Sequence, residues 1–558
     1  MELNGAQILI QELIAHGVTS VFGYPGGAVL DIYDELYKAE KAGRLKHYIT
    51  AHEQGAVHAA DGYARIAKKP GVAIATSGPG ATNTITGIAN AYLDNIPMVV
   101  ITGNVPQQML GKNSFQEVNI VGITKSITKK NYMVRDVTKL QETIREAFFI
   151  AKDGQKGPVL IDIPKDIQRA TCEYNPDKQF EFGFDVMELN ICHLLELVAE
   201  SKRPLLYVGG GVVSADATHL VMELSDKLNA PITSSLMGLA GGYSNHKNFL
   251  GMLGMHGKHS ANKIQSECDL MISLGARFSD RTTGNKEKFR CCKIIHVDVK
   301  RKEINKNIKA DCALIGDVRE ILTQVLKRVN PRKPTDWISH AHKLKQQEFK
   351  QDEADRADYG PNYILTRVAQ VVGPDTPVAT DVGQHQMWTA QHYPHASPRM
   401  FITSGGLGTM GFGLGAAIGS SIAHKTRVVH VTSDGSFHMN LNELVTAVSY
   451  GLPILTILLD NAALGMVRQW QDIFYEGRRS QTVLGRKTDY VRLAQAFGAA
   501  AFSVSCKDEL DFALTEAMKI NDRPCVIHCL IDLDEGVFPM IPPNGSVYDI
   551  ILKKRRKK

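Results

Sequence analysis

Two oxygen-bearing side chains, Asp434 and Asn461, each follow a short apolar run: Val428, Val429 and Val431 before the first, Pro453 to Leu459 before the second. Apolar runs of that length read as buried strands. In a parallel α/β sheet, ligands bind outside the carboxyl ends of the strands, so both side chains should converge on one crevice. A carboxylate and an amide oxygen suit a hard divalent cation, and Mg2+ takes one or two protein ligands beside phosphate oxygens. The ligand this implies is a diphosphate clamped by a metal. A capped strand-helix-strand turn uses the same residue types, so the pair needs support from the rest of the chain. Glu53 is a second candidate. It follows Tyr48-Ile49-Thr50 and opens a helix pattern whose inner face holds Ala56, Val57, Ala60 and Ala64. A carboxylate in a first turn is favoured by the helix dipole. It is also a place to hold a general acid or base, a role worth about 10²–10⁴-fold in rate.

The elements that must position these groups fall into three blocks, and the spacing predicts an α/β protein of three doubly wound parallel-sheet domains. Residues 1–170 alternate short β-rich runs (Val72 to Ala75, Met98 to Thr102, Val159 to Ile163) with helical stretches, the pattern of parallel βαβ units. Residues 360–540 repeat that style with Val428 to Val431, Ile454 to Leu459 and Val526 to Ile531 as strands. Between them, residues 189–330 carry Pro204 to Val208, Leu270 to Leu274 and Lys293 to Val297. Cys172 to Lys178 reads as the first linker, and Asn330 to Pro334 with the charged helix Lys343 to Arg356 as the second. Residues 541–558 form a tail with a basic end.

At 558 residues the chain exceeds one core. Its apolar fraction of 44% and charged fraction of 22% are those of a globular protein. Neither an apolar run long enough to span a membrane nor a signal or transit peptide is visible, since Met1 leads directly into the amphipathic pattern of Ala6, Ile8, Leu9 and Leu13. The net charge of +6 equals the six basic residues of Lys553 to Lys558, so the body is near neutral and offers no basic face for nucleic acid. The nine cysteines lack zinc or redox spacing: Cys291-Cys292 are adjacent, and Cys525 with Cys529 falls in a strand. Reduced thiols and a cytoplasmic location are expected.

The segment Ser433 to Asn461 resembles the metal-diphosphate signature of thiamine diphosphate enzymes, with Ser433 in place of a glycine and Asp460 in place of an asparagine. From Gly5 to about Leu552 the chain also resembles the catalytic subunit of acetohydroxyacid synthases (acetolactate synthases). The motifs that carry this run in order: FGYPGG from Phe22, HEQGAVHAADGYAR from His52, TSGPGATN from Thr76, FQE from Phe115 and IPKD from Ile163. LGMLGMHG from Leu250, GARFSDR from Gly275, DVGQHQMW from Asp381, SGGLGTMGFG from Ser404 and LGMVRQWQ from Leu464 follow.

That resemblance implies thiamine diphosphate, Mg2+ and FAD as cofactors, and pyruvate and 2-ketobutyrate as substrates. Glu53 would activate the cofactor, with Gly26 and Gly27 close to its thiazolium face. Met410 would hold it bent, while Val382, Gln384, His385, Gly408, Gly435, Ser436 and Met466 would complete its site. Asp434, Asn461 and Ala463 would hold the metal. Phe115, Gln116 and Lys165 would line the substrate channel, and Arg281 and Trp470 would receive the second ketoacid. Gly209, Gly210, Leu236, Met237, Met255, His256, Gly275, Ala276, Arg277, Asp298 and Asp317 would surround FAD. The resemblance further implies a homodimer or homotetramer with sites shared between subunits, and a small regulatory subunit. A flavin-free catabolic acetolactate synthase, another thiamine carboligase and a non-catalytic scaffold share parts of this pattern. The scaffold reading draws on the departures Ser433, Asp460, Ser279 and Gly415. Ser433 is expected to weaken cofactor affinity modestly.

Overall fold

The computed structural model describes residues 1–183, 189–289 and 292–552. Cys291 and the run Lys553 to Lys558 lie outside the described residues. Three six-stranded sheets, each wholly parallel, carry the fold.

The first sheet runs, edge to edge, Lys46–Ile49, Ser20–Tyr24, Gly71–Ala75, Met98–Asn104, Pro158–Pro164 and Lys130–Met133. The third runs Phe401–Ile402, Val378–Thr380, Val428–Ser433, Ile454–Asp460, Cys525–Leu530 and Ala500–Val504. Numbered along the chain within each domain, both have the order 2-1-3-4-6-5, so the likeness of style in the sequence is a likeness of topology. The middle sheet runs Phe249–Met252, Ile232–Ser234, Pro204–Val208, Leu270–Leu274, Lys293–Asp298 and Cys312–Ile315. Its order, 3-2-1-4-5-6, is that of dinucleotide-binding doubly wound sheets. Central strands are buried on both faces, which explains their unbroken apolar runs.

Two linker readings change. Thr171–Glu173 is a strand paired antiparallel with Glu2–Asn4, and the first linker therefore begins inside a small sheet. That pairing joins residues about 170 apart and leaves no local pattern. The charged helix spans Asp336–Asp355 and starts earlier than its charges suggest, because Trp337, Ile338 and Ala341 bury its first turns against the central domain.

The first and third domains share one apolar core. Helix Glu53–Ala67 packs along helix Phe412–His424 through small residues, with Ala56, Ala59, Ala60, Ala416 and Ala417 in one cluster. Among the described residues no helix is long and apolar enough to cross a membrane.

Candidate active site

Strand ends of the third domain gather the metal candidates. Strand Val428–Ser433 stops where Ser433 caps the next helix, its Oγ accepting from the Ser436 amide at 3.4 Å. Asp434 is thereby the first helical residue, 2% exposed, with its Oδ1 lacking any hydrogen-bond partner. Burial, reinforced by Asp460, pushes this carboxyl up to about 7. A divalent cation there would restore its charged form. Asn461 follows the adjacent strand and is anchored by Nδ2 donating to Gln384 Oε1 at 3.1 Å. Asp460 is not available as a ligand: its Oδ1 accepts from the Ala462 amide at 2.8 Å and its Oδ2 pairs with His528 at 2.8 Å. Among the described residues no group of three or more His, Cys, Asp or Glu forms a self-sufficient metal site. Two side chains, one buried and orphaned, thus fit a cation that shares a diphosphate.

The surrounding residues converge on the same point. A Cβ on Gly435 would meet Leu464 and come within 3.8 Å of Met410, so Met410 faces the turn that Asp434 opens. Ser436 Oγ donates to the Val382 carbonyl at 3.1 Å. Gln384 Nε2 donates to Gln469 and to the Glu535 carbonyl, both at 3.0 Å. Asp381 ties the strand ends together, accepting from Thr432, His430 and the Gly413 amide. Burial would raise its carboxyl, but the His430 and Thr432 bonds hold it below the usual range. Beside it, burial lowers His385 to about 4, leaving a neutral imidazole whose Nε2 is unpartnered. Ala463, buried beyond Asn461, completes this group.

Strand ends of the first domain gather a second cluster. Glu53, 9% exposed, begins its helix, and Asn83 Nδ2 donates to its Oε2 at 2.9 Å. A side chain on Gly80 would stand 3.2 Å from Oε1; glycine leaves that approach open. Lys165 Nζ donates to the Gly27 carbonyl at 2.8 Å, and Gly26 closes against Thr76. Gln116, with φ of 60°, sits over Gly78, while Phe115 is 86% exposed.

A cavity of about 1170 Å3 lies where the three domains meet. This exceeds the roughly 300–1,000 Å3 of pockets for one small ligand. Every strand of the middle sheet delivers a residue to it at its carboxyl end. Gly210, Leu236 with Met237, and Met255 with His256 come from the first three strands in chain order. Gly275 to Arg277, Asp298 and Asp317 come from the rest. Gly209 does not line it. Its Cβ would collide with the Gly275 carbonyl, so glycine serves there to let two turns touch. Burial, then Arg281, lowers His256 to about 4, and its Nδ1 is unpartnered. Burial raises Asp298 to about 6, giving the cavity a carboxyl that can accept from a ligand hydroxyl. The residues present fit a dinucleotide-sized group.

The third domain adds Val382, Gly408, Met466 and Trp470 to the same cavity, and Arg281 lies over the Trp470 ring at 5.7 Å. The indole nitrogen has no partner. Ser279 also lines the cavity and stands just before the short helix that presents Arg281. Glu53, Gly27, Phe115, Gln116 and Lys165 are not among its lining residues. Asp434 and Asn461 do not line it either. Sequence reasoning missed two contributors to this arrangement. Asn83, at the end of TSGPGATN, orients Glu53. Asp94 accepts from Arg65, at 3.0 Å, and from the Gly405 and Gly406 amides, pinning the loop that carries Gly408 and Met410. The glycine-rich motif hinted at the first; nothing local signals the second.

Comparison with known proteins agrees with this geometry. Residues 3–123 match the thiamine pyrophosphate enzyme N-terminal TPP binding domain, 191–325 the central domain and 381–529 the C-terminal TPP binding domain. The chain is 43% identical over 557 residues to the acetolactate synthase isozyme 2 large subunit of Escherichia coli, covering 99% of this chain and 100% of that one. It is 41% identical over 575 residues to the acetolactate synthase large subunit of Haemophilus influenzae, with 99% of each covered. It is 42% identical over 572 residues to the acetolactate synthase of Arthrospira platensis, with 98% of each covered. Kinship at this level along the whole chain, with a family domain on each of three sheets, makes this chain a member of the acetolactate synthase large-subunit family of thiamine diphosphate enzymes.

Proposed function

We propose that this chain decarboxylates pyruvate and joins the two-carbon unit to a second 2-ketoacid, pyruvate or 2-ketobutyrate, at the entry to branched-chain amino acid biosynthesis. The observation that carries this reading is the pairing of a buried, half-satisfied Glu53 with an orphaned Asp434 in a chain of full-length kinship.

When bound, thiamine diphosphate supplies the electron sink for decarboxylation. Glu53 holds and returns a proton at its free Oε1, with Asn83 fixing the other oxygen. Asp434, Asn461 and the Ala463 carbonyl would hold Mg2+. Gly26 and Gly27 would leave room for its ring, Met410 would pack against it, and Val382, Gln384, His385, Gly408, Gly435, Ser436 and Met466 would complete its site. Lys165, Phe115 and Gln116 guide the ketoacid. Arg281 receives the carboxylate of the second ketoacid and Trp470 walls its pocket; their mutual stacking supports this division. FAD would occupy the three-domain cavity in a structural role, a reading supported by the cavity's size and by the middle sheet's strand order.

The active unit is at least a homodimer. Its support is the exposed Phe115, which a second copy would cover. A small regulatory subunit joins it, in keeping with relatives named as large subunits. Free thiols at Cys172, Cys192, Cys312, Cys506, Cys525 and Cys529 support a reducing, cytoplasmic setting.

The test is acetolactate formation from pyruvate by the purified chain, with and without thiamine diphosphate, Mg2+ and FAD, beside Glu53→Gln. Product should require thiamine diphosphate and Mg2+, and Glu53→Gln should lower kcat by about 10²-fold or more. Undiminished product in Glu53→Gln would remove Glu53 from its role. Absence of product from the loaded enzyme with a small regulatory subunit supplied would refute the synthase reading.

A further inference from the structure

Glu443 opens helix Glu443–Ser449 of the third domain and is 0% exposed, yet most of its partners lie in the first domain. Its Oε1 accepts from the His52 amide at 3.0 Å and its Oε2 from the Ala51 amide at 3.2 Å. Within its own helix, Thr446 Oγ1 donates to Oε2 at 2.7 Å. At the far end of the same segment, Tyr450 Oη accepts from the Ile49 amide at 2.7 Å. Residues 443–450 thus take hold of three amides in the turn that leads from strand Lys46–Ile49 into helix Glu53–Ala67.

Amides ahead of a helix lack intrahelical partners, and an ionised carboxylate is their strongest acceptor. The sequence makes room for it. A Cβ on Gly55 would stand 2.1 Å from Glu443 Oε1, so only glycine in the first helical turn admits the carboxylate to the amides behind it. His52 contributes locally, its Nδ1 accepting from the Gln54 amide at 3.1 Å. Burial raises the Glu443 carboxyl above its ordinary range against the pull of its donors, and nearby Glu53 adds to the rise.

We propose that Glu443 is a positioning residue for Glu53: by fixing the Ile49–His52 turn from the third domain, it holds the Glu53 carboxyl where the cofactor must meet it. The proposal rests on the reading of Glu53 as the cofactor-activating group.

The test uses the full-length protein with Glu443→Ala, Glu443→Gln and Glu53→Gln. Three quantities are read: amide hydrogen exchange over residues 49–56 without cofactor, the rate of proton exchange at C2 of bound thiamine diphosphate, and the Kd of Mg2+-thiamine diphosphate by calorimetry. Glu443→Ala should speed amide exchange at least tenfold and slow C2 exchange at least tenfold, with Kd within threefold of wild type. Glu443→Gln keeps one acceptor oxygen and should move both exchange rates in the same directions by less. Unchanged amide exchange in the Glu443 variants overturns the proposal, even if turnover falls. So does a Kd that weakens in step with C2 exchange, which would report general loosening. If Glu443→Ala does not fold, Glu443→Gln decides by the same criteria. Glu53→Gln should lose C2 exchange with its amides unaffected. Retention of C2 exchange there overturns the role of Glu53 and the proposal with it, and the amide exchange of the Glu443 variants tells that failure from a failure of the brace.

Discussion

Replacing Gly419 by alanine should destabilise this protein, against the sign that helix propensity alone gives. Gly419 is buried in the middle of helix Phe412–His424, where it crosses helix Glu53–Ala67. In an exposed helix, glycine to alanine stabilises by about 0.8–1.0 kcal/mol. Here a Cβ would stand 1.7 Å from the Ala59 carbonyl oxygen, where a carbon-oxygen contact needs about 3.3 Å. The obstacle is backbone, so no side chain can turn aside, and the helices must part by roughly 1.5 Å. Overpacking costs typically about 1–3 kcal/mol. Taking the upper end for a backbone collision and subtracting the propensity gain leaves about 2 kcal/mol of net destabilisation. The same interface grades the effect: a Cβ on Gly62 would stand 2.1 Å from the Ala416 carbonyl oxygen, and one on Gly415 2.7 Å from the His58 Cβ. Urea midpoints at one protein concentration, without added ligands, should fall in the order Gly419→Ala, Gly62→Ala, Gly415→Ala, the first being lowest. A Gly419→Ala midpoint at or above wild type would refute the reasoning, and a reversed order would show that backbone clearance is not what sets stability there.

Three further outcomes follow from the site and its supports. Asp434→Asn should raise the Mg2+ concentration needed for thiamine diphosphate binding by about 100-fold, since it removes the buried charged oxygen; a Mg2+ titration within threefold of wild type refutes its role as ligand. Ser433→Gly frees the Ser436 amide for a diphosphate oxygen and should tighten the thiamine diphosphate Kd a few-fold, while costing only a few tenths of a kcal/mol as a cap; an unchanged Kd would mean that the cap does not compete. Asp162 lies fully buried between Thr102 and Asn104, and burial pushes its carboxyl up to about 7. The fold therefore binds this proton more tightly than the unfolded chain does. Its contribution is full below about pH 4, declines as pH rises, and is gone above about pH 7, a change on the order of 4 kcal/mol. Asp162→Asn should flatten urea midpoints measured from pH 5 to 8, and an unaltered slope would show that Asp162 titrates normally in the fold.

The amino-acid sequence by itself placed Asp434 and Asn461 at adjacent strand ends and Glu53 at the head of a helix, and the structure has them there. Apolar runs and the residues that end them are local signals, and a strand end in a parallel sheet is already a site. The strands Pro204–Val208 and Leu270–Leu274 were legible to the residue for the same reason. Partners distant in sequence were not. That Asp460 is taken by His528, that Gly209 serves Gly275, and that Thr171–Glu173 pairs with Glu2–Asn4 depend on strands brought together by the sheet order. The grip of Glu443 on the Glu53 turn spans some 390 residues of chain, and in sequence Glu443 is one more acidic residue in a first helical turn. Local periodicity fixes what each element is, whereas the packing of one domain on another fixes which elements meet.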